Sequence, residues 1–340
     1  MPPDFTRVNH LCDSCGVTPN DYFCYRRAMS RHEDKLILVD TDADREARER
    51  PFQGLASALH KYYSVEFEQC GSDTLVVIFS PGGRPALRQY PFRYDRLFVT
   101  DKKLFYYLHN PGRQTLLLQN FIEQAAYRTV VFVGLSKGGV GSLLWSSLIE
   151  RRGAGFRTFC LAFSPQTLLY PFNENLASLP SYISNMKITE TNEHHLRNFE
   201  RYGNLPVFLK DALPQTMIVY PEKSAMDRVE AHRLAGERNV ELKPVDIEFH
   251  GSITPFVIDR KSAESIKRLA EKLYADAEFD ADLKSTLPRT KAQFRTQFNK
   301  KIRKYPSLNT LIDNFCGFQP VLETDWQGFL RRWLPFVDRR

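Results

Sequence analysis

The sequence predicts an α/β fold in which helices cover both faces of a mostly parallel sheet. Residues 74–79 (TLVVIF) and 129–133 (TVVFV) are continuous apolar runs, which are typical of strands buried on both faces. Helix-competent segments alternate with such runs along the chain, and this alternation indicates parallel strands joined by helices. With 340 residues, the chain is long enough for one large α/β domain or two ordinary ones.

The predicted elements follow one another regularly from about residue 63. Before that point, residues 35–40 (KLILVD) favour a short strand and residues 41–50 a charged helix. The later strands are predicted at 65–70, 74–79, 97–100, 129–133, 159–163, 216–220 and 245–249. The later helices are predicted at 116–127, 140–153, 225–236 and 261–275. Because Gly and Pro interrupt regular backbone, residues 80–83 (SPGG) and 164–165 (SP) mark the ends of two strands.

A long insertion separates two of the predicted strands. Residues 164–215 are rich in Pro, Asn, Tyr and His, and only parts of them have helical patterns. Long connections in compact domains are often lids over functional sites. We therefore expect residues 167–215 to form a cap.

Composition and charge exclude several classes of protein. The chain is 42% hydrophobic and 26% charged, which excludes a mainly disordered chain. It has neither an apolar run of membrane-spanning length nor an N-terminal signal pattern, so we expect a cytoplasmic location.

Six cysteines suit a reducing compartment. Cys12, Cys15, Cys24 and His10 raise the alternative of a zinc site, but no second C-x-x-C pair follows, so we expect free thiols or core cysteines and no metal.

The net charge of +7 belongs to the C-terminal segment. Residues 285–340 carry eleven basic and four acidic side chains, and the rest of the chain carries 36 of each. The body therefore gives no signal for a nucleic-acid partner. Aromatic and aliphatic residues recur at near-helical spacing in this segment: Phe294, Phe298, Ile302, Trp326, Phe329, Trp333 and Phe336. Such a segment either lies peripherally on an anionic membrane or docks onto its own domain or another protein.

Residues 134–138 (GLSKG) fit the pattern G-x-S-x-G between a buried strand and an apolar helix. In this setting Ser136 occupies a sharp, strained turn, and the two glycines let the strand and helix pass closely. Its hydroxyl then lies at the positive end of the following helix. The alternative is a phosphate-binding turn, but the spacings of the P-loop and of the dinucleotide-binding motif are absent.

Residues 130–145 (VVFVGLSKGGVGSLLW) and the strand order over 63–275 resemble the α/β-hydrolase superfamily. The resemblance implies an α/β-hydrolase-like catalytic domain at 63–275 with a lid insertion, an N-terminal extension at 1–62 and a helical C-terminal extension at 276–340. It also implies a catalytic Ser, an acid and a His in that chain order. Residues 162–166 (AFSPQ) are similar to a segment in α/β-hydrolase-type proteins of bacterial surface-polysaccharide biosynthesis, some of which resemble O-acetyltransferases.

The acid and the base are expected after the last two strands. Asp227 lies shortly beyond the strand at 216–220, and Glu222 is its rival; Asp227 also suits a helix N-cap. His250 follows the predicted strand at 245–249 and has the expected order and position. Among the other histidines, His232 suits core packing, and His194 and His195 lie in the expected cap. Asp227 would orient His250, which would take the proton of Ser136.

Two backbone N–H groups are expected to form an oxyanion hole. One is that of Lys137, which follows the serine. The other comes from the loop after TLVVIF, where Pro81 has no N–H, so Gly82 is expected and Gly83 is the alternative. An ordinary Pro-Gly turn is the other interpretation of this loop.

Four arginines follow this loop, at positions 84, 88, 93 and 96. Arg84 and Arg88 are the expected substrate contacts, for an acidic glycan or the phosphates of an acyl-coenzyme A. The alternative is a solvated basic loop.

Together these features predict a serine-dependent acyl-ester hydrolase that acts through an acyl-enzyme and needs no cofactor, with a small acyl ester or acylated glycan as substrate. The alternative on the same fold is an O-acyltransferase that moves an acetyl group from acetyl-CoA to a polysaccharide hydroxyl. A second alternative is a non-catalytic partner protein in a glycan or secretion assembly.

Overall fold

A mostly parallel, seven-stranded sheet forms the centre of the protein. The computed structural model describes residues 42–258, 262–278, 281–301 and 304–318. The strands in these ranges are β1 (Tyr63–Glu68), β2 (Thr74–Phe79), β3 (Asp95–Asp101), β4 (Thr129–Leu135), β5 (Arg157–Phe163), β6 (Gln215–Pro221) and β7 (Val240–Val245). Their spatial order is β1-β3-β2-β4-β5-β6-β7, and only the pairing of β1 with β3 is antiparallel. The predicted α/β class with a mostly parallel sheet is confirmed.

Among the described residues, one helix precedes β1, helices connect the strands from β3 onward, and further helices follow β7. They are α1 (Asp42–Leu59), α2 (Pro111–Gln124), α3 (Lys137–Glu150), α4 (Pro180–Thr191), α5 (Glu193–Tyr202), α6 (Leu205–Phe208), α7 (Ala225–His232), α8 (Thr254–Val257), α9 (Ala263–Asp276), α10 (Ala281–Thr286), α11 (Lys291–Lys301) and α12 (Leu308–Cys316). In the part of the chain that the structure describes, no helix combines the length and the apolarity that a membrane span requires.

Both faces of the sheet are buried under helices. Side chains of a strand alternate between its two faces, and every residue of β2 is buried. Leu75 and Val77 pack into one apolar cluster together with residues of α1, α2 and α3, whereas Val76 and Ile78 pack into a second cluster with residues of α9, α11 and α12. Each fully buried aliphatic side chain contributes roughly 1.5–3 kcal/mol. This two-sided burial explains why the strand is a continuous apolar run.

The last strand lies earlier in the sequence than predicted. Residues 245–249 were expected to form it, but β7 spans Val240–Val245. Its ladder with β6 stops where Pro221 pairs with the last residue of β7, so the following residues have no strand to pair with. Ile247 and Phe249 are nevertheless buried in the second cluster. The alternation that predicted a strand therefore reflects the packing of an irregular segment.

The insertion between β5 and β6 is anchored by a buried carboxylate. Glu230 of α7 is 1% exposed and accepts hydrogen bonds from the backbone N–H groups of Thr167 and Leu168. The side-chain amides of Asn173 and Asn175 donate to its other oxygen. These four bonds fix the start of the insertion against α7. The cap at 167–215 remains a prediction.

The C-terminal helices pack onto the second face of the sheet. Phe294 of α11 is fully buried and its ring lies 5.2 Å from that of Phe249. Asp313 of α12 accepts hydrogen bonds from Tyr94 and Arg93, which immediately precede β3. This part of the basic segment therefore docks onto its own domain. The expected strand at 35–40, the residues of the zinc alternative and the aromatic residues at 326–336 lie outside the described ranges.

Candidate active site

Ser136 occupies a strained turn between β4 and α3. Its backbone has φ 53° and ψ −116°, a conformation that costs a non-glycine residue free energy. The Ser136 N–H donates to the carbonyl of Phe163 at the end of β5 (2.8 Å), and the Ser136 carbonyl accepts from Gly139 (2.8 Å). These two bonds hold the turn. The Ser136 side chain is therefore presented at the carboxyl ends of β4 and β5.

Only glycine fits at two positions around this turn. A Cβ atom at Gly134 would lie 2.1 Å from the carbonyl oxygen of Gly138. A Cβ atom at Gly138 would lie 2.1 Å from the carbonyl oxygen of Phe79, the last residue of β2. Both distances are far below van der Waals contact, so β2, β4 and α3 approach one another this closely only with glycines between them.

Ser136, His250 and Asp227 form one hydrogen-bonded chain. His250 Nε2 lies 2.7 Å from Ser136 Oγ, and His250 Nδ1 lies 2.6 Å from Asp227 Oδ1. The side chains of His250 and Asp227 are 8% and 1% exposed. The bond to Asp227 assigns the hydrogen to Nδ1, which leaves Nε2 as an acceptor for the serine hydroxyl. The structure thus brings together the three side chains that sequence reasoning selected.

The rival acid does not take part in this chain. Glu222 is exposed, and its backbone N–H donates to Val245 of β7 (2.8 Å). Ser224 rather than Asp227 caps α7, because its hydroxyl accepts from the Asp227 N–H (3.3 Å). Asp227 therefore lies in the first turn of α7, where the positive end of the helix stabilises its charge.

The loop that carries His250 is fixed by buried serines. Ser252 donates to the carbonyl of Val219 in β6 (2.9 Å) and bonds the hydroxyl of Ser164 (2.9 Å). A Cβ atom at Gly251 would lie 2.3 Å from the ring of Phe249. These contacts place His250 at the ends of β5 and β6, although β7 ends five residues before it.

The pKa of His250 is raised above the ordinary value of 6.5. Burial lowers this pKa because it disfavours the charged ring, but the charge and hydrogen bond of Asp227 outweigh burial. Lys137 lowers the pKa and Asp282 raises it, each by a smaller amount. The net effect is a base that is protonated more readily than a free histidine.

The expected oxyanion donors lie at two adjoining chain segments. Lys137 is the first residue of α3, and its backbone N–H has no acceptor within that helix. Gly82 follows the end of β2, which touches α3 at Gly138. Within the described ranges, neither backbone N–H donates a hydrogen bond. Both remain predictions as oxyanion donors.

A buried ion pair next to the serine was missed by sequence reasoning. The Lys137 ammonium lies 2.6 Å from a carboxylate oxygen of Asp282 in α10 and 3.0 Å from the hydroxyl of Ser181 in α4. Burial raises the pKa of Asp282, but Lys137 and Ser181 outweigh burial and lower it below the ordinary 3.8. Asp282 lies 145 residues beyond Lys137, so no local pattern indicates this pairing.

Gln166 is a second side chain that sequence reasoning did not select. Its Nε2 lies 3.1 Å from Ser136 Oγ, and the residue is 1% exposed. It follows β5 as the last residue of the segment AFSPQ. A polar residue at the carboxyl end of a strand beside the serine is the signal that could have identified it.

The arginines after β2 contact other parts of the protein. Arg88 pairs with Glu66 of the edge strand β1 (3.2 Å), and two strands separate β1 from β4. Arg96 pairs with Glu68 of β1 (2.5 Å), and Arg93 pairs with Asp313 of α12. The structure therefore does not bring Arg88 together with Ser136. Arg84 is exposed, and its contact with substrate remains a prediction.

The other candidate histidines contact other side chains. His232 Nε2 is 3.2 Å from the hydroxyl of Tyr220, as expected for a packing role. The His195 ring lies 3.9 Å from that of Phe105 and 6.0 Å from that of His109.

The comparisons with known proteins find likeness only among solved structures. No family model and no curated protein matches the sequence. Carboxyl esterase 2 from Tuber melanosporum is 18% identical with a TM-score of 0.43, over 71% of this chain and 81% of that one. A lipase-esterase related protein from Clostridium acetobutylicum is 14% identical with a TM-score of 0.39, over 63% and 99%. A Pyrobaculum calidifontis esterase is 13% identical with a TM-score of 0.37, over 70% and 94%. Likeness at these values carries no information about activity.

Proposed function

We propose that the protein is a serine-dependent acyl-ester hydrolase that acts through an acyl-enzyme. The observation that carries the proposal is the chain of two hydrogen bonds, 2.7 Å from Ser136 to His250 and 2.6 Å from His250 to Asp227. A serine hydroxyl is a weak nucleophile until a neighbouring base accepts its proton. The strained turn, which presents that hydroxyl at the strand ends, further supports the proposal.

In the acylation step, Ser136 Oγ attacks the carbonyl carbon of the ester while its proton passes to His250 Nε2. The carbonyl electron pair moves onto the carbonyl oxygen, which becomes an oxyanion. As this intermediate collapses, the bond to the alcohol breaks, and the alcohol oxygen takes the proton from His250. Asp227 stays ionised throughout and balances the charge of the imidazolium.

The oxyanion accepts hydrogen bonds from the backbone N–H groups of Lys137 and Gly82. Such donors contribute most where charge develops in the transition state, and removing one from an enzyme typically costs about 10²–10³ in kcat. The N-terminus of α3 adds the positive end of its dipole to this site.

In the deacylation step, a water oxygen attacks the acyl carbon while its proton passes to His250 Nε2, and the carbonyl electron pair moves onto the carbonyl oxygen. The bond between that carbon and Ser136 Oγ breaks, and Oγ takes the proton back from His250. A sugar hydroxyl in place of water would turn the same acyl-enzyme into an acyltransferase, so the identity of the acceptor decides between the two activities.

Hydrolysis of p-nitrophenyl acetate by the full chain and by Ser136→Ala tests the proposal. Loss of the nucleophile should lower kcat by roughly 10⁴ or more. Thermal unfolding of the same samples reports whether Ser136→Ala remains folded. A folded Ser136→Ala variant that keeps more than about a tenth of the wild-type kcat would refute Ser136 as the nucleophile.

The acceptor is tested with acetyl-CoA, with and without an acidic glycan. Release of free acetate at the same rate in both samples supports the hydrolase. Transfer of the acetyl group to the glycan, with little acetate without it, would replace the hydrolase by an acyltransferase.

A further inference from the structure

Gln166 is held tightly beside the proposed nucleophile. It follows β5 after Ser164, which has φ 49°, and Pro165, which touches the first turn of α3. A Cβ atom at Gly139 would lie 2.9 Å from Pro165 Cβ, so this segment and α3 are closely packed. The packing positions the Gln166 side chain, which is 1% exposed, with Nε2 at 3.1 Å from Ser136 Oγ.

The hydrogen-bond pattern of Ser136 Oγ fixes which end of the amide faces it. A hydroxyl has one hydrogen and two lone pairs. The hydrogen of Ser136 points to His250 Nε2, because Asp227 binds the hydrogen on Nδ1. Oγ can then only accept, so its second partner must be the N–H group of Gln166. One lone pair of Oγ remains for attack on a carbonyl carbon.

The opposite end of the same amide has no partner. Among the described residues, nothing donates to Gln166 Oε1, although this atom is buried. A buried polar atom without a hydrogen bond destabilises the folded state. Gln114 of α2 has the same kind of unpartnered oxygen, so this feature assigns no role by itself. What distinguishes Gln166 is the hydrogen bond from its N–H group to Ser136 Oγ.

We propose, on the basis of the function proposed above, that Gln166 is a catalytic residue whose N–H stabilises negative charge on Ser136 Oγ. In acylation, charge develops on Oγ as its proton moves to His250 and its lone pair forms the bond to the acyl carbon. In deacylation, charge returns to Oγ when that bond breaks and before His250 returns the proton. Gln166 keeps its own protons in both steps. A hydrogen bond to a charged oxygen is about twice as strong as one to a neutral oxygen, so this contact favours the transition state over the ground state.

The test replaces Gln166 by leucine in the full chain. Gln114 of α2 provides the matched control, because it is also buried with an unpartnered Oε1 but lies on a different element. Gln166→Leu and Gln114→Leu each remove one buried side-chain amide by the same substitution. The measurements are the rate of labelling by a fluorophosphonate, the pre-steady-state burst with p-nitrophenyl acetate, kcat, KM and the thermal midpoint.

We expect Gln166→Leu to lower the labelling rate and kcat about 10- to 100-fold with little change in KM. Its thermal midpoint should equal or exceed that of the wild type, because the unpartnered oxygen is gone. Gln114→Leu should label at the wild-type rate. Gln166→Met keeps an unbranched side chain without the donor and should show the same loss of rate. It replaces the leucine variant if leucine disturbs packing.

Labelling of Gln166→Leu at the wild-type rate would overturn the proposal and leave Ser136 as the nucleophile. The proposal is also overturned if the leucine and methionine variants both lose rate only in parallel with a lowered thermal midpoint. That result would indicate a structural role for Gln166. If the wild type itself fails to label at Ser136, the underlying function is refuted, and the role proposed for Gln166 is refuted with it.

Discussion

Replacing Asp282 by asparagine removes one partner of the buried ion pair next to Ser136. The side chains of Lys137 and Asp282 are only 7% and 10% exposed. An asparagine therefore leaves the Lys137 ammonium buried without a counter-charge, which costs about 3–5 kcal/mol of folding stability. At an unfolding entropy of roughly 2.1 cal/mol/K per residue, this loss lowers the thermal midpoint by roughly 4–7 °C for a chain of this length.

The matched control is an exposed ion pair in the neighbouring helix. Glu264 and Arg268 of α9 lie 3.3 Å apart with side chains 60% and 77% exposed. Because water and salt screen such a pair, Glu264→Gln should cost less than about 0.5 kcal/mol. Differential scanning calorimetry of both variants and the wild type provides the comparison. The combined change Lys137→Met and Asp282→Leu removes both charges and should cost much less than Asp282→Asn alone.

The same substitution should shift the pH dependence of activity. His250 accepts a proton only when it is neutral, so kcat/KM falls as the pH falls through the His250 pKa, which lies above 6.5 in the wild type. Asp282 raises this pKa and Lys137 lowers it, so Asp282→Asn should move the acidic limb to lower pH. A thermal midpoint of Asp282→Asn that is unchanged, and so equal to that of Glu264→Gln, would refute the energetic argument. A limb that moves to higher pH would refute the electrostatic one.

Three further perturbations test other parts of the account. Asp227→Asn should lower kcat by about 10⁴ because the amide cannot balance the imidazolium, while Glu222→Gln should change it little; the reverse result would exchange the two roles. Gly138→Ala puts a Cβ 2.1 Å from a strand carbonyl and should cost at least about 1–3 kcal/mol of folding stability. The Cβ of the control, Gly155→Ala, meets nothing within 4 Å, so equal thermal midpoints of the two variants would contradict this geometry. Burial, and then nearby histidines and a lysine, lower the pKa of His109 from 6.5 to about 4, so the unfolded state binds a proton at higher pH than the folded state. The free energy of unfolding should fall by roughly 1–3 kcal/mol as the pH drops from 6.5 towards 4. His109→Leu should lack this component, and an identical slope of unfolding free energy against pH in that variant would contradict the reasoning.

The sheet and the serine turn are features that local sequence pattern can predict. A strand buried on both faces is apolar at every position, as β2 is, and this pattern needs no knowledge of the partners. The spacing of Gly134 and Gly138 around Ser136 follows from the close approach of the strand and the helix. Chain order then selected Asp227 and His250, since both lie beyond the ends of later strands.

The contacts that local pattern could not predict join distant parts of the chain. Lys137 and Asp282 are 145 residues apart, and nothing in either neighbourhood identifies the other. The bounds of β7 depend on where β6 ends at Pro221. The apolar alternation at 245–249, beyond the end of β7, therefore predicted the wrong segment as the strand. Gln166 is 30 residues from Ser136, and its position follows from how β4 and β5 lie side by side.

Labelling with a fluorophosphonate probe and mapping of the modified peptide by mass spectrometry test the central claim most directly. The probe bonds covalently to a serine that a neighbouring base activates, and it requires no knowledge of the substrate. The account predicts one label per chain, on Ser136, that is absent from Ser136→Ala and forms much more slowly in Asp227→Asn. A folded wild-type protein that does not react, or a label that persists in Ser136→Ala, would contradict it.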